Sequence, residues 1–217
     1  MVNSQLAEIE RDLRAFADPW SEVAVDKSSA VWERDGETVA VEFTAPAAGG
    51  SYPDVIYGGR RSTYKEFLGG PQMAALATLA DFIVKTHPRQ SKYVDTWAHL
   101  ADASGPQAAR LPAVDLIRSR STEDLPYLST RVVLVRGEAG SGKTVSLREV
   151  TARQASLFRQ GKAKSLFFLV DAQGRALSRL EDAMAKDLQD LRARFSYAAV
   201  APLTRHNLLI PIIDGFD

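Results

Sequence analysis

Apolar residues at helical spacing open the chain. Leu6, Ile9, Leu13 and Phe16 fall on one stripe of a helix that Asn3 or Ser4 can cap, and Pro19 follows its end. The period then changes to two. In VWERDGETVAVEF (31–43), Val39, Val41 and Phe43 alternate onto one face, and Asp35–Gly36 suits a tight hairpin turn because both positions tolerate positive φ. Residues 44–54 read as a loop and VIY at 55–57 as a short third strand. A helix is predicted over 71–85, with Met73, Leu76, Ala80 and Ile83 on its stripe and Pro71 at its start, and another over 92–103. Gly105, Pro106, Pro112 and Pro126 mark a linker that holds one short helix near 114–118.

From residue 131 the rhythm differs. RVVLV (131–135), SLFFLV (165–170) and LLIPII (208–213) are continuous apolar runs, as expected for strands covered on both faces. Between them lie helical patterns. One runs over 143–160 with Leu147, Val150, Leu157 and Phe158 inward and Gly161 as its cap. The next carries the stripe Leu177, Leu180, Met184, Leu188, Leu191 and Phe195. Strand, helix, strand, helix, strand predicts an α/β fold with a parallel sheet, helices on both faces and right-handed crossovers. Pro211 cannot donate to a ladder, so its strand is either bulged there or lies at an edge. The organisation expected is a small α+β domain over 1–104, a linker over 105–130 and a three-layer parallel domain, incomplete in this chain, over 131–217.

Composition narrows the function classes. Formal net charge is zero, so no global field draws nucleic acid or an acidic membrane. There is no cysteine, which removes disulfides and thiolate metal sites and fits a reducing, cytoplasmic compartment. His87, His99 and His206 show no ligand spacing and read as surface or loop residues. No run reaches the ~20 apolar residues of a membrane span. Glu8, Glu10, Arg11, Asp12 and Arg14 interrupt any signal-peptide core at the N-terminus.

Chemistry concentrates in GEAGSGKT, Gly137 to Thr144, which follows the first apolar run and opens a helix. It matches the phosphate-loop pattern G-x-x-x-x-G-K-[ST] at every required place. Gly137, Gly140 and Gly142 let the backbone curl so that its N–H groups face phosphate oxygens. The helix brings its positive end to the same spot. Lys143 supplies charge for the β and γ phosphates, and Thr144 a hydroxyl for Mg²⁺. Such a loop needs a carboxylate at the end of a neighbouring buried strand. Asp214, directly after LLIPII, stands in that place, and Asp217 is placed to position an attacking water.

The pair VVLVRGEAGSGKT and LLIPIIDGFD resembles the NACHT module of the STAND class of signalling NTPases, over about residues 131–217. In that family the second motif reads as apolar residues, Asp, a small residue, an apolar residue and Asp. Asp214, Gly215, Phe216 and Asp217 fill those positions, while Pro211 departs from the usual smooth strand. The resemblance implies ATP or ADP with Mg²⁺, GTP remaining possible, held by Gly137, Glu138, Ala139, Gly140, Ser141, Gly142, Lys143, Thr144 and Val145. It implies Thr144 and Asp214 at the metal, and Lys143, Asp214 and Asp217 in slow hydrolysis. It further implies a switch: ADP holds a closed monomer, an unidentified trigger permits exchange, and homo-oligomerisation gathers N-terminal effectors, often in antiphage defence. In the family a further strand, sensor residues and a winged helix follow the DGFD position. The chain is therefore expected to be part of a longer protein, poorly packed and weakly active alone.

Two rival readings stand beside this one: a P-loop ATPase working directly on nucleic acid, and a scaffold that binds nucleotide without hydrolysis. The first half is less informative. Asp54, Glu42 and Asp35 are candidate metal acids of a restriction-type nuclease, but the later Glu-x-Lys is missing and solvated charges are the better account. GGRRSTYKEF (58–67) is basic with two aromatics and reads as surface. Trp20, Trp32 and Trp97 are expected in the core or at a domain contact.

Overall fold

The computed structural model describes residues 3–46, 50–87, 93–100, 110–123, 130–172 and 179–215. The chain divides into two compact units. The first comprises Met1–Thr78 with Ala193–His206, the second Leu79–Arg192 with Asn207–Asp217. These divisions differ from the boundary expected at 104–130, much of which lies outside the described residues.

The N-terminal unit opens with α1 (Asn3–Arg14), whose stripe buries Ile9 and Leu13 completely and carries on to Phe16 just past its end. An antiparallel meander follows: β1 (Ala24–Val25), β2 (Ser29–Arg34), β3 (Glu37–Thr44), β4 (Asp54–Tyr57) and β5 (Arg60–Thr63), paired in that order. The β2–β3 hairpin turns at Asp35 and Gly36, both at positive φ, with Arg34 opposite Glu37. Trp32, Val41 and Val55 enter the core from the sheet. The helix α2 (Tyr64–Gly69) begins with a capping box: the Thr63 hydroxyl accepts the Glu66 N–H, and the Glu66 carboxylate accepts the Thr63 N–H. Tyr64 and Phe67 of the 58–67 segment are therefore core residues, and Arg61 is held by Asp54.

The following helix, α3 (Leu76–Thr86), starts five residues later than Pro71 predicts, because 71–74 form turns; Met73, Leu76, Ala80 and Ile83 are nonetheless all fully buried. The helix expected over 92–103 is not formed at 93–100. Residues 93–96 are irregular and β6 (Trp97–Ala98) pairs antiparallel with β7 (Leu111–Pro112); residues 101–103 lie outside the described set. Val94 and Trp97 are exposed, so the helical stripe had no core to face. Trp20 is likewise 97% exposed, contrary to expectation, while Trp32 is buried edge-on to Phe67.

In the second unit, α4 (Ala113–Thr122) and α5 (Lys143–Arg159) pack together and α5 covers β8 (Leu166–Asp171). Their common core is Val114, Ile117, Leu147, Val150 and Phe167, with Tyr93, Val135, Ile210 and Ile212 against it. Leu157 and Phe158 are only half-buried. The last two elements of this unit are α6 (Leu180–Asp190) and β9 (Leu209–Asp214). The α6 stripe holds for Met184, Leu188 and Leu191, but Phe195 lies beyond the helix and Leu177 outside the described residues. In the N-terminal unit a 3-10 turn (Tyr197–Ala199) leads into α7 (Val200–Arg205).

RVVLV is not a strand. Residues 131–135 have no ladder among the described residues, and Val132, Val133 and Leu134 are exposed; only Val135 reaches the core. An apolar run makes a strand only when a neighbour accepts its backbone groups. The parallel sheet consists of β8 and β9 alone among the described residues, in register from Leu166–Leu209 to Asp171–Asp214.

Candidate functional site

The phosphate-loop pattern folds as an exposed turn ahead of α5. Gly137, Glu138, Ala139, Gly140, Ser141 and Val145 are exposed, while Gly142, Lys143 and Thr144 are half-buried. Gly142 is the residue before the helix and sits in the left-handed region at φ +86°, a conformation that a side chain opposes. Having no side chain, Gly142 makes no side-chain cap to α5. A Cβ on Gly137 would fall 2.7 Å from Ser141 Oγ, a contact that rotation of the exposed Ser141 side chain can relieve.

Lys143 turns back over this loop. Its Nζ donates to the carbonyls of Gly137 at 2.7 Å and Glu138 at 3.1 Å. The ammonium thus rests on neutral acceptors of the loop that an anion can replace. The segment 93–96 supports the start of α5 from outside: Thr96 Oγ1 is 2.8 Å from Ser146 Oγ, and the Thr96 methyl is 3.7 Å from where a Gly142 Cβ would stand. Tyr93 packs its ring under the Arg153 guanidinium, 5.4 Å from the centroid.

The second motif ends β9. Asp214 is half-buried and its Oδ1 accepts the Gly215 N–H at 3.0 Å. Phe216 and Asp217 lie outside the described residues, so the Asp217 assignment stays a sequence-based expectation. Beside Asp214, as its register partner, stands Asp171 at the end of β8. Sequence reasoning stopped the strand at Val170 and missed this second carboxylate. The signal was present, since both apolar runs close on Asp.

Helix rise and strand rise place the two motifs at one level. Gln154 of α5 donates to Ser165 O, just before β8, at 2.9 Å. From there α5 reaches back to Lys143 over about 16 Å, and β8 runs on to Asp171 over about 20 Å. Leu147, Val150 and Phe167 share one buried cluster with Ile212 packed against it, as helix and strands running oppositely would place them. The start of α5 and the carboxyl ends of β8 and β9 therefore lie at the same end of this unit.

The backbone N–H of Asp171 points away from β9 and donates to Asp187 Oδ2 of α6 at 2.9 Å. Burial, followed by the charges of Asp171 and Asp190, raises the Asp187 carboxyl above the ordinary range, against the opposing pull of that N–H and of Lys186. Among the described residues no three His, Cys, Asp or Glu side chains are grouped to hold a metal by themselves. Asp171 and Asp214, paired at the strand ends, are hard oxygen donors of the kind Mg²⁺ takes. Asp54, one candidate nuclease acid, is buried and occupied by Arg61 Nε at 2.9 Å and Nη2 at 2.8 Å. His206 is not a surface residue: it is buried against Asp12.

No helix among the described residues is long and apolar enough to cross a membrane. Compared with protein-family models, curated proteins and solved structures, the chain gives no match.

Proposed function

We propose that the chain binds a nucleoside triphosphate or diphosphate with Mg²⁺ in the loop 137–145, as a cytoplasmic P-loop NTPase of the NACHT type. The observation that carries this reading is the loop itself. Its glycines at positive φ, Gly140 and Gly142, precede an uncapped helix start, and Lys143 is folded onto its inner carbonyls. A polyphosphate offers acceptors to N–H donors at such a helix start and a counter-charge to Nζ. Mg²⁺, when bound, polarises the terminal phosphoryl group. Thr144 and Asp214 hold it, and Asp171 adds negative charge beside Asp214. Lys143 exchanges its carbonyl partners for phosphate oxygens. Asp217 orients the water. In this reading hydrolysis times a switch that controls self-association and the N-terminal unit.

Isothermal titration with Mg·ADP and Mg·ATP tests the reading. Lys143→Ala should weaken binding by about 10- to 100-fold, the worth of a charge-assisted hydrogen bond. Asp214→Asn should remove the magnesium dependence of affinity while leaving metal-free binding. Unchanged affinity in Lys143→Ala would sink the site. Turnover accelerated by DNA or RNA would favour the nucleic-acid motor instead, and tight binding without turnover in the longest native chain would favour the scaffold.

A further inference from the structure

Residues 193–206 lie between α6 and β9 in the chain, yet they fold into the N-terminal unit. Within that unit they are gripped at both ends. At the entry, Arg34 from the end of β2 donates through Nη2 to the Arg194 carbonyl and through Nη1 to Gln72 O at 2.6 Å. At the exit, Asp12 of α1 receives Arg205 on Oδ1 and stands 2.7 Å from His206 Nε2 through Oδ2. Asp12 is fully buried and His206 nearly so. The rings of Tyr52 and Tyr64 stack 5.3 Å apart, and both meet His206 edge-on, at 4.8 and 5.4 Å. The Tyr64 hydroxyl also donates to Asp12 Oδ2 at 3.4 Å.

This arrangement is selective. A carboxylate sealed from water needs partners, and Arg205 and His206 provide the cationic arm and a ring nitrogen. Undocking 193–206 would strand Asp12, whereas an apolar contact would tolerate sliding. The link onward is short. Three Cα steps separate His206 from Leu209, where β9 begins, so the anchor and the strand stay within about 11 Å of one another. Asn207 bends back at φ +56°, shortening that tether further.

We propose that residues 193–206 are a latch: the Asp12–Arg205–His206 network holds the lead-in to β9, so that the folded state of the N-terminal unit sets the stability of the strand that carries Asp214. The consequence for nucleotide binding rests on the function proposed above; the consequence for β9 does not.

Hydrogen exchange on the full chain and on Asp12→Asn tests the latch. The amides of Ile210, Ile212 and Asp214, which face β8, should exchange about tenfold faster or more in the variant, together with those of 193–206. Faster exchange in 193–206 with β9 unchanged would overturn the latch. If Asp12→Asn does not fold, Arg205→Gln removes the more exposed arm and should give the same pattern at smaller amplitude; protection equal to the parent throughout would again overturn it. Titration with Mg·ADP then reads the coupling, which should change affinity by about threefold or more in either variant. Equal affinity in parent and variant, with β9 loosened, would overturn the link to the site. Absence of binding in the parent would instead remove the proposed function, and the exchange rates of β9 would then decide the latch by themselves.

Discussion

Gly142 is where the loop 137–145 and α5 depend on one backbone angle. At φ +86° an alanine Cβ is strained whatever surrounds it, and here it also meets the Thr96 methyl at 3.7 Å, an ordinary contact. Gly142→Ala should therefore destabilise by about 1 kcal/mol through the backbone alone, visible as a lower thermal midpoint. It should also re-aim the Lys143 hydrogen bonds, so that nucleotide affinity falls further than stability does. Two carboxylates titrate with opposite signs. Asp26 accepts the N–H groups of Ser28 and Ser29 and both hydroxyls, and the Ser28 N–H above all lowers its carboxyl to about 2. Its contribution is complete above the ordinary value of 3.8 and is lost as pH falls toward 2. Asp187 is raised by burial, so the folded state holds its proton longer than the unfolded chain. Its ionisation lowers stability as pH rises through the window above 3.8. Asp187→Asn keeps an oxygen for the Asp171 N–H and removes the repulsion. It should raise stability by a few tenths of a kcal/mol near neutrality, after solvent screening, and by nothing below about pH 3. Denaturant midpoints measured across pH check both signs.

Elements were legible where period and length agreed. The stripe of α1, the Leu147 and Val150 end of the α5 stripe and the alternation of β3 each had a buried face to point at, and the Asp35–Gly36 turn follows from backbone sterics. The short pieces were not. The strands β1, β6 and β7 are two residues long and β5 four, too brief for any period, and α2 announces itself only through its capping box. RVVLV reads as a strand because an apolar run implies burial, yet Val132, Val133 and Leu134 stay exposed and the run has no ladder among the described residues. At the candidate site, Lys143, Thr144 and Asp214 could be picked out from spacing, whereas Asp171 and Thr96 needed register and packing. The bulge is excluded at Pro211, since the β8–β9 register runs unbroken through Phe168–Pro211, and β9 has no second neighbour among the described residues. Leu166 N–H donates to Leu208 O and Ala172 N–H to Asp214 O, so the even-numbered residues of β9 face β8. The missing N–H of Pro211 then faces away from β8, where it interrupts no ladder among the described residues. Pro211→Val should fold with a change below about 1 kcal/mol, and it adds a donor and a β-branched side chain to an edge strand. Light scattering should show more self-association than in the parent. A loss of folding would mean that Pro211 has a role in the β8–β9 pair that this register does not assign.

At the scale of the whole chain, order in sequence and order in space part company. A linear reading puts the N-terminal domain at 1–104, but the unit that forms there takes in 193–206. That segment contributes the buried side chains of Phe195, Ala199, Val200 and Leu203, as well as two of the partners of Asp12, Arg205 and His206. Removing one side of a buried ion pair costs about 3–5 kcal/mol, and the apolar groups add about 1–3 kcal/mol each. A domain is stable by only about 5–15 kcal/mol in total. Residues 1–104 alone should therefore lack a cooperative thermal transition and fixed side-chain packing, read by near-ultraviolet circular dichroism at the buried Trp32. The same fragment joined through a Gly/Ser linker to 193–206 should recover both. Phe195→Ala in the joined form should weaken it without abolishing it, since the ion-pair end stays intact. A sharp transition in 1–104 by itself would show that the N-terminal unit is complete without the segment, and would remove the reason for the chain to cross between units on its way to Asp214.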